Sequence, residues 1–388
     1  MRSLKIHFGH PVLDKIQEKP FGIIDYEKAP EVVNSRYFPD SSAYNSEHRE
    51  HVLGINPRTI TRRTRYNHMP TSYIHEAENV LMYRGILHSR DGSAFIDSFR
   101  AYGPHKDVRV YYSNLIKLNE FFHIHGPGIS MDSEVVYGEP VIPFFVNSSK
   151  VYGHWFLETL PALWALEHGV RGKLVLSPWV KGIPAFLPAM LLPFGLSESD
   201  VLFSSEKMRF SKVFLPSKPF MLGQYITDRA KAIWNKIALF YASDVDSTMY
   251  PRKIYVSRRG IASRSLLNEA ECEALFVKYG FTAVQPEQLP FSEQVRLFSR
   301  ATHIAGPIGS GMHNIVFSLN PNQVRMLCLI SDSFVSTGTY SCIEHMFERS
   351  FFSVYGNAID NPKRRKSHHD YKLDLKNLDV AIQQWLDA

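Results

Sequence analysis

The sequence predicts an α/β fold, on three observations. From about residue 140 onward, short β-branched and aromatic runs alternate with helical stretches, the pattern of a parallel sheet covered by helices on both faces. Apolar residues make up 44% and charged residues 21% of the chain, a globular composition with material for an ordinary core. The length of 388 residues suits about two domains.

Taken in order, residues 1–75 are rich in Pro, Tyr, Arg and His and have weak periodicity, so no element is assigned there. Asn79–Ser89, Ser93–Gly103 and Pro140–Ser149 read as strands, and the last runs into "VYGHWFLETLPALWAL", Val151–Leu166. Lys173–Pro178 and Lys212–Ser217 are strands, and Pro184–Gly195 between them is a helix ended by its glycine. Ile226, Ala230, Ile233, Ile237 and Phe240 have helical spacing, and the polar run Ala242–Lys253 follows as a linker.

The next part alternates more regularly. Strands are read at Lys253–Arg258, Phe281–Pro286, Thr302–Gly306, Val324–Ile330 and Phe351–Gly356. Helices are read at Asn268–Gly280, Ser292–Ala301, Gly311–Leu319 and Tyr340–Ser350. This makes one Rossmann-like unit, and the less regular N-terminal part makes a second α/β domain. Asn361–Lys372 is a basic loop, and a final amphipathic helix with Leu375, Leu378, Ile382 and Trp385 on one face packs back on the body. The expected domains are 1–243, 244–360 and a 361–388 tail.

Lys plus Arg is 44 and Asp plus Glu is 38, a net charge of +6. That favours an anionic partner such as a nucleotide, a lipid surface or an acidic polymer. The excess is small and dispersed, so a dedicated nucleic-acid binder is not expected. Cys272, Cys328 and Cys342 are few, odd in number and far apart, which argues against a disulfide framework and leaves buried thiols. The first residues lack the apolar core of a signal peptide, and no apolar run approaches the roughly 18 residues of a membrane span. The expectation is a soluble cytoplasmic protein, with at most peripheral contact on a membrane surface.

Three groups of residues suit chemistry. In Thr302–Phe317 a strand runs into Gly306, Pro307, Gly309, Ser310 and Gly311, and then a helix starts. Glycines let a backbone approach an anion, and helix-start amides point at it. Met312, His313 and Asn314 lie just inside this turn, and the alternative is a tight strand-to-helix connection. Arg258 and Arg259 follow a strand directly, at the carboxyl edge where ligands of open α/β sheets bind, and Arg264 comes soon after. Guanidinium groups pair with phosphate oxygens in bidentate fashion, so together the two features point to a diphosphate site.

The third group is His154 and Glu158, four residues apart as helix neighbours are. One reading is a general base with an orienting carboxylate, and the other is a core histidine satisfied by a nearby acid. Pro161 should kink that helix or mark its first turn. Trp155 suits either core packing or stacking on an acceptor sugar, and Asn147 is a second acceptor-side candidate. The D-x-D at Asp244–Asp246 reads as a surface turn, the run Lys363–Lys366 as a solvated loop, and Asn147–Ser149 as a sequon without a secretion context. No metal pattern is read.

The order and spacing of "YGHWFLETLPAL", "YVSRRGIASRSLLNEAE" and "YGFTAVQPEQLPFSEQVRLFSRATHIAGPIGSGMHNIVF" resemble glycosyltransferase family 61, over roughly Val141–Leu329. That family includes bacterial capsular polysaccharide enzymes and related eukaryotic sugar transferases. The resemblance implies a GT-B architecture of two Rossmann-like domains facing a cleft, with the C-terminal helix crossing back. It implies a nucleotide-sugar donor, commonly UDP-linked, no metal or other cofactor, inversion at the anomeric carbon, and a glycan or lipid-linked glycan acceptor. The C-terminal unit would hold the nucleotide and the N-terminal domain the acceptor.

Residue by residue, the family's strand-end arginine matches Arg258 or Arg259, and Pro286-Glu287 matches the position where Glu287 would meet ribose hydroxyls. The glycine-rich loop departs from the family's G-x-H-G-A-G, because Ile308 stands where the histidine is usual. His303 and His313 are the nearby histidines that could stand in for it. The expected activity is metal-independent transfer of a sugar to a hydroxyl of a bacterial surface polysaccharide or its precursor. A non-catalytic glycan- or nucleotide-binding partner in polysaccharide assembly is the alternative.

Overall fold

The computed structural model describes residues 31–38, 43–44, 48–62, 72–83, 85–89, 95, 100–102, 109–111, 136–145, 151–178, 180–221, 225–243, 249–320, 322–334, 343, 346 and 351–388. Asn147, the Asp244–Asp246 turn, Cys342 and most of the expected helix at Tyr340–Ser350 lie outside the described residues. The chain divides into two compact units. The first comprises Met1–Ala43, Arg65–Met221 and Thr227–Ile233, and the second Tyr44–Thr64, Leu222–Ile226 and Trp234–Ala388. This differs from the expected division at 243 and 244. The boundary falls inside the helix Asp228–Ala242, and residues 44–64 belong with the C-terminal half.

The first unit holds a mixed sheet. Its main order is Val32–Phe38, Ser72–Tyr83, Lys207–Pro216, Val141–Pro143, Lys173–Leu176 and Val201–Phe203. The first three strands pair antiparallel, and the last four run parallel. Ala77, Val80, Phe210, Val213 and Leu215 of the two longest strands meet Val141 and Val175 in one core. The long antiparallel pair departs from the expected Rossmann-like domain. The helix read from Ile226 begins instead at Asp228, because Tyr225–Thr227 is a short strand.

In the second unit the strands are β1 (His48–Val52), β2 (Arg58–Arg62), β3 (Lys253–Val256), β4 (Thr282–Val284), β5 (His303–Pro307), β6 (Arg325–Ser331), β7 (Phe351–Ile359) and β8 (Asp370–Lys372). The helices that pack here include α1 (Glu269–Lys278), α2 (Phe291–Arg300) and α3 (Leu375–Asp387). Sheet order is β4-β3-β5-β6-β7-β1-β2, with β8 on β7. From β4 to β1 every pairing is parallel, and β2 closes the edge antiparallel. The first strand of the β3–β7 run is thus second in space. The chain goes out to β4 on one side and then returns to the other side for β5.

Both faces of this sheet are covered, which is why β3, β5 and β6 read as nearly continuous apolar runs. Tyr255, Ala305, Leu327 and Leu329 meet Cys272 and Phe276 of α1 and Leu378, Ile382 and Trp385 of α3. Trp385 stacks on Phe281 with ring centres 5.8 Å apart. Asp374 caps α3 by accepting from the Asn377 N–H at 2.6 Å. The tail helix therefore packs back on the body, in the core of the second unit. The β1–β2 hairpin was missed in the sequence. It joins the sheet through β7, where Phe351 pairs with Glu50. Glu50 is buried and accepts from Ser353 Oγ at 2.7 Å and Tyr355 Oη at 2.6 Å.

Candidate active site

The carboxyl edge of the second sheet gathers three of the predicted segments. Arg258 follows β3, Glu287 follows β4 and Gly309 follows β5. The crevice of an open α/β sheet opens where neighbouring connections depart in opposite directions, here between β3 and β5. Arg258 is fixed at that point from both ends. Its backbone N–H donates to Glu269 Oε1 at 2.6 Å, and its Nη2 donates to the Ser263 carbonyl at 3.1 Å. Its guanidinium lies directly over Gly309, and a Cβ there would fall on Nη1. Glycine at 309 is what leaves that side-chain space to the arginine. Arg258 Nε is buried with no hydrogen-bond partner among the described residues.

The other glycines of the loop have their own steric reasons. Gly306 has φ +155, and a Cβ there would collide with the Val256 carbonyl, so only glycine lets β5 pass β3 this closely. At Gly311 a Cβ would lie 3.1 Å from Val256 Cγ1 and 3.4 Å from Pro286 Cγ. The helix after the loop is a 3₁₀ helix, Ser310–Phe317, whose first-turn amides of Ser310 and Gly311 start beside Arg258. Met312 is buried in the core, and Asn314 is buried with its Nδ2 donating to Gln294 Oε1 at 2.9 Å. Those two side chains hold the helix down and do not reach a ligand. His313 is half-buried.

Arg259 takes a different course. Its guanidinium is half exposed and pairs with Glu273 of α1 at 3.0 Å, while its carbonyl accepts from Gln285 Nε2 at 3.1 Å. The two arginines are therefore not equivalent, and Arg258 alone lies on the glycine loop. Arg264 has a left-handed backbone, φ 56, and its guanidinium sits 5.2 Å from the Phe334 ring centre, beyond the end of β6. Glu287 is exposed in a short turn, Pro286–Gln288.

Ile308 is buried and its N–H donates to the Leu329 carbonyl at 3.2 Å, so it is a packing residue. His303 does not stand in for the missing histidine. It opens β5 at the opposite edge, about 13 Å along the strand from Pro307. There it meets Trp385 with ring centres 5.4 Å apart, and burial lowers its pKa to about 4. Sequence reasoning missed Glu269. Its buried carboxyl is pushed up by burial against the pull of the Arg258 N–H and Ser257. An acid in the first turn of α1, directly after the arginine-rich loop, was the available signal.

In the first unit, His154 and Glu158 are joined: His154 Nδ1 is hydrogen-bonded to Glu158 Oε1. Their segment leaves the carboxyl end of Val141–Pro143 and is not one regular helix. Tyr152–His154 is an α turn, Trp155–Thr159 a π turn closed by the Leu160 N–H on the Trp155 carbonyl, and Leu160–His168 a 3₁₀ helix. The change of winding falls at Pro161, which has no N–H for the carbonyl one turn back. Glu158 is 7% exposed and His154 23%, so the carboxylate is the inner member and the imidazole the outer. With Nδ1 held by the carboxylate, Nε2 is the ring nitrogen that this hydrogen bond does not engage. Trp155 is 1% exposed and packs edge-on against Phe186, so it fills the core and does not stack on a sugar.

Residues 152–326 match the family model of glycosyltransferase 61. The match is a little under half of the chain, and it supports assignment of this segment to glycosyltransferase family 61. The matched segment opens two residues before His154 and closes inside β6, so it takes in the His154–Glu158 pair, Arg258 and the glycine loop. The outer strands Val32–Phe38 and β7, the basic loop and α3 lie beyond it. No curated protein matches the chain. Among the described residues no helix is long and apolar enough to cross a membrane, and no cluster of three or more His, Cys, Asp or Glu is placed to hold a metal. Cys272 and Cys328 are buried, and burial pushes the Cys272 thiol up to about 12.

Proposed function

We propose that the protein is a metal-independent, inverting glycosyltransferase of GT-B kind that uses a nucleotide-diphosphate sugar. One observation carries the reading: a guanidinium is held over a glycine at the switch point of a doubly wound sheet, with a buried Nε donor left over. A diphosphate bound there would gain negative charge beside this fixed positive charge as it departs. Arg258 and the amides of Ser310 and Gly311 neutralise that charge, and Glu287 takes the ribose. His154 Nε2 accepts the proton of the acceptor hydroxyl, whose oxygen forms the new bond to the anomeric carbon. The bond from that carbon to the diphosphate breaks, and its electron pair leaves with the diphosphate. Glu158 holds the imidazole and stabilises the imidazolium.

In this reading the second unit binds the donor and the first unit the acceptor, a hydroxyl of a bacterial surface polysaccharide or its lipid-linked precursor. The protein works on the cytoplasmic side, with peripheral membrane contact, and needs no cofactor. Incubation with a panel of UDP-, GDP- and dTDP-sugars tests it. The proposal expects slow release of free nucleoside diphosphate from one donor class, and faster release with the matching acceptor. Ile308 in the loop favours the second reading, a non-catalytic nucleotide- or glycan-binding partner. That reading expects binding with no release above the rate of a denatured control.

A further inference from the structure

The basic run Lys363–Lys366 lies outside the glycosyltransferase 61 segment, yet the fold brings it to the loop that carries Arg258. The loop from Arg258 to Asn268 is tied to the tail at several points. Ser263 Oγ and His368 Nδ1 are 3.2 Å apart, the Ser265 N–H donates to Asp370 Oδ1 at 2.8 Å, and the Tyr371 N–H donates to the Ser265 carbonyl at 3.0 Å. The run also reaches the end of β6, where Ser333 Oγ donates to the Lys366 carbonyl at 2.9 Å. Arg264 covers Phe334 beside it. Arg264, Arg365 and Arg364 all act on His368, adding to the burial that lowers its pKa.

The acids nearby are engaged. Asp370 takes Arg364 through both oxygens at 3.2 Å as well as the Ser265 amide, and Asp332 accepts the Ala358 N–H at 2.9 Å. Asp360, largely exposed, faces His369 at 3.6 Å. Arg365 and Lys366 are exposed, and neither forms an ion pair among the described residues. Arg264 and Arg365 thus both act on His368, and the backbone of Lys366 is held at the end of β6, so positive charge gathers past β5 on the β6 side.

Its position along the edge gives it a ligand. In doubly wound sheets an acidic residue ending the second strand takes the ribose, and the phosphates sit at the switch point. Here those places are Glu287 after β4 and Arg258 with Gly309 between β3 and β5. A donor laid in that direction carries its sugar onward toward β6. We propose that the sugar transferred by this protein bears a carboxylate, as in a nucleotide-diphosphate uronic acid, and that Arg264, Arg365 and Lys366 receive it. The inference rests on the nucleotide-sugar reading above. Guanidinium pairs suit a carboxylate because two N–H groups meet its two oxygens.

The test is calorimetric titration of the full chain with UDP, UDP-glucose, UDP-glucuronate, GDP-mannose and GDP-mannuronate. It compares the wild type with the double substitution Arg365→Gln, Lys366→Gln. These side chains are exposed, so an unchanged unfolding midpoint is expected and is measured alongside. The wild type should bind one acidic donor at least about tenfold more tightly than its neutral counterpart, a factor of ten being about 1.4 kcal/mol. The double variant should bring that ratio close to one, while affinity for the bare diphosphate stays within about twofold to threefold.

Equal affinity for acidic and neutral donors in the wild type would overturn the inference and leave the nucleotide site standing. So would an equal loss for the diphosphate and the acidic donor, which marks diffuse attraction. Absence of binding to any of the five compounds would remove the nucleotide reading and this inference with it. A variant that loses adsorption to phosphatidylglycerol vesicles, yet keeps the wild-type donor preference, would assign the run to a membrane surface instead.

Discussion

At the residue scale, the His154–Glu158 pair gives the sharpest division of roles. The inner carboxylate holds Nδ1 of the outer imidazole, and the proposed function gives Nε2 the proton transfer. His154→Ala should lower sugar transfer by about 100- to 10,000-fold, the usual range for a lost general base. Glu158→Gln should cost less, because an amide oxygen still accepts from Nδ1. Steady-state rates of the two variants check this, and a larger loss in Glu158→Gln would make the carboxylate the base. The pair was legible in the sequence because four-residue spacing survives the change of winding. The choice between Arg258 and Arg259 was not legible. Side-chain direction after a strand depends on the turn, here on Gly260 at φ 89 and on a carboxylate eleven residues later, Glu269.

At the scale of elements, the glycine loop and the arginine loop are one packing unit. Gly309→Ala puts a methyl group where the Arg258 guanidinium lies, so the arginine must swing out. Backbone strain is not the cause, since Gly309 is extended at φ 174. The variant should fold with a near-native unfolding midpoint and bind nucleoside diphosphate at least about tenfold more weakly, judged by calorimetry. Unchanged affinity would show that Arg258 does not meet the ligand. Most strands and helices after residue 250 were readable, because both faces of each parallel strand are buried and each helix ends in a clear stop. The β1–β2 hairpin was not. Its loop does carry the Asn56-Pro57 turn signal, but its partner strand β7 is some 300 residues away, and pairing at that distance leaves no local mark.

At the scale of the whole molecule, each unit contains a histidine kept neutral by burial. His75, in the first sheet, and His303, in the second, are each lowered from 6.5 to about 4. Above pH 6.5 neither the folded nor the unfolded chain holds these protons. Between pH 6.5 and 4 the unfolded chain takes them up and the folded chain does not, so stability falls as pH drops through that window and levels off below it. For the fully buried His75 the full effect is roughly 3 kcal/mol. Denaturant midpoints measured from pH 7 to pH 4 should decline steadily, and His75→Gln should flatten part of the slope. A flat wild-type profile would contradict the account. The division into units was only half legible. A doubly wound sheet announces itself by regular alternation, whereas a mixed sheet with a long antiparallel pair does not.

The central claim is that Arg258, held over Gly309, receives a nucleoside diphosphate. Its most direct measurement is titration of UDP and GDP into the wild type and into the single variants Arg258→Ala and Arg259→Ala. The account predicts micromolar-range binding of one nucleotide by the wild type, a loss of at least about tenfold in Arg258→Ala and a change under about threefold in Arg259→Ala. Equal binding by the wild type and Arg258→Ala, or a larger loss in Arg259→Ala, would contradict it.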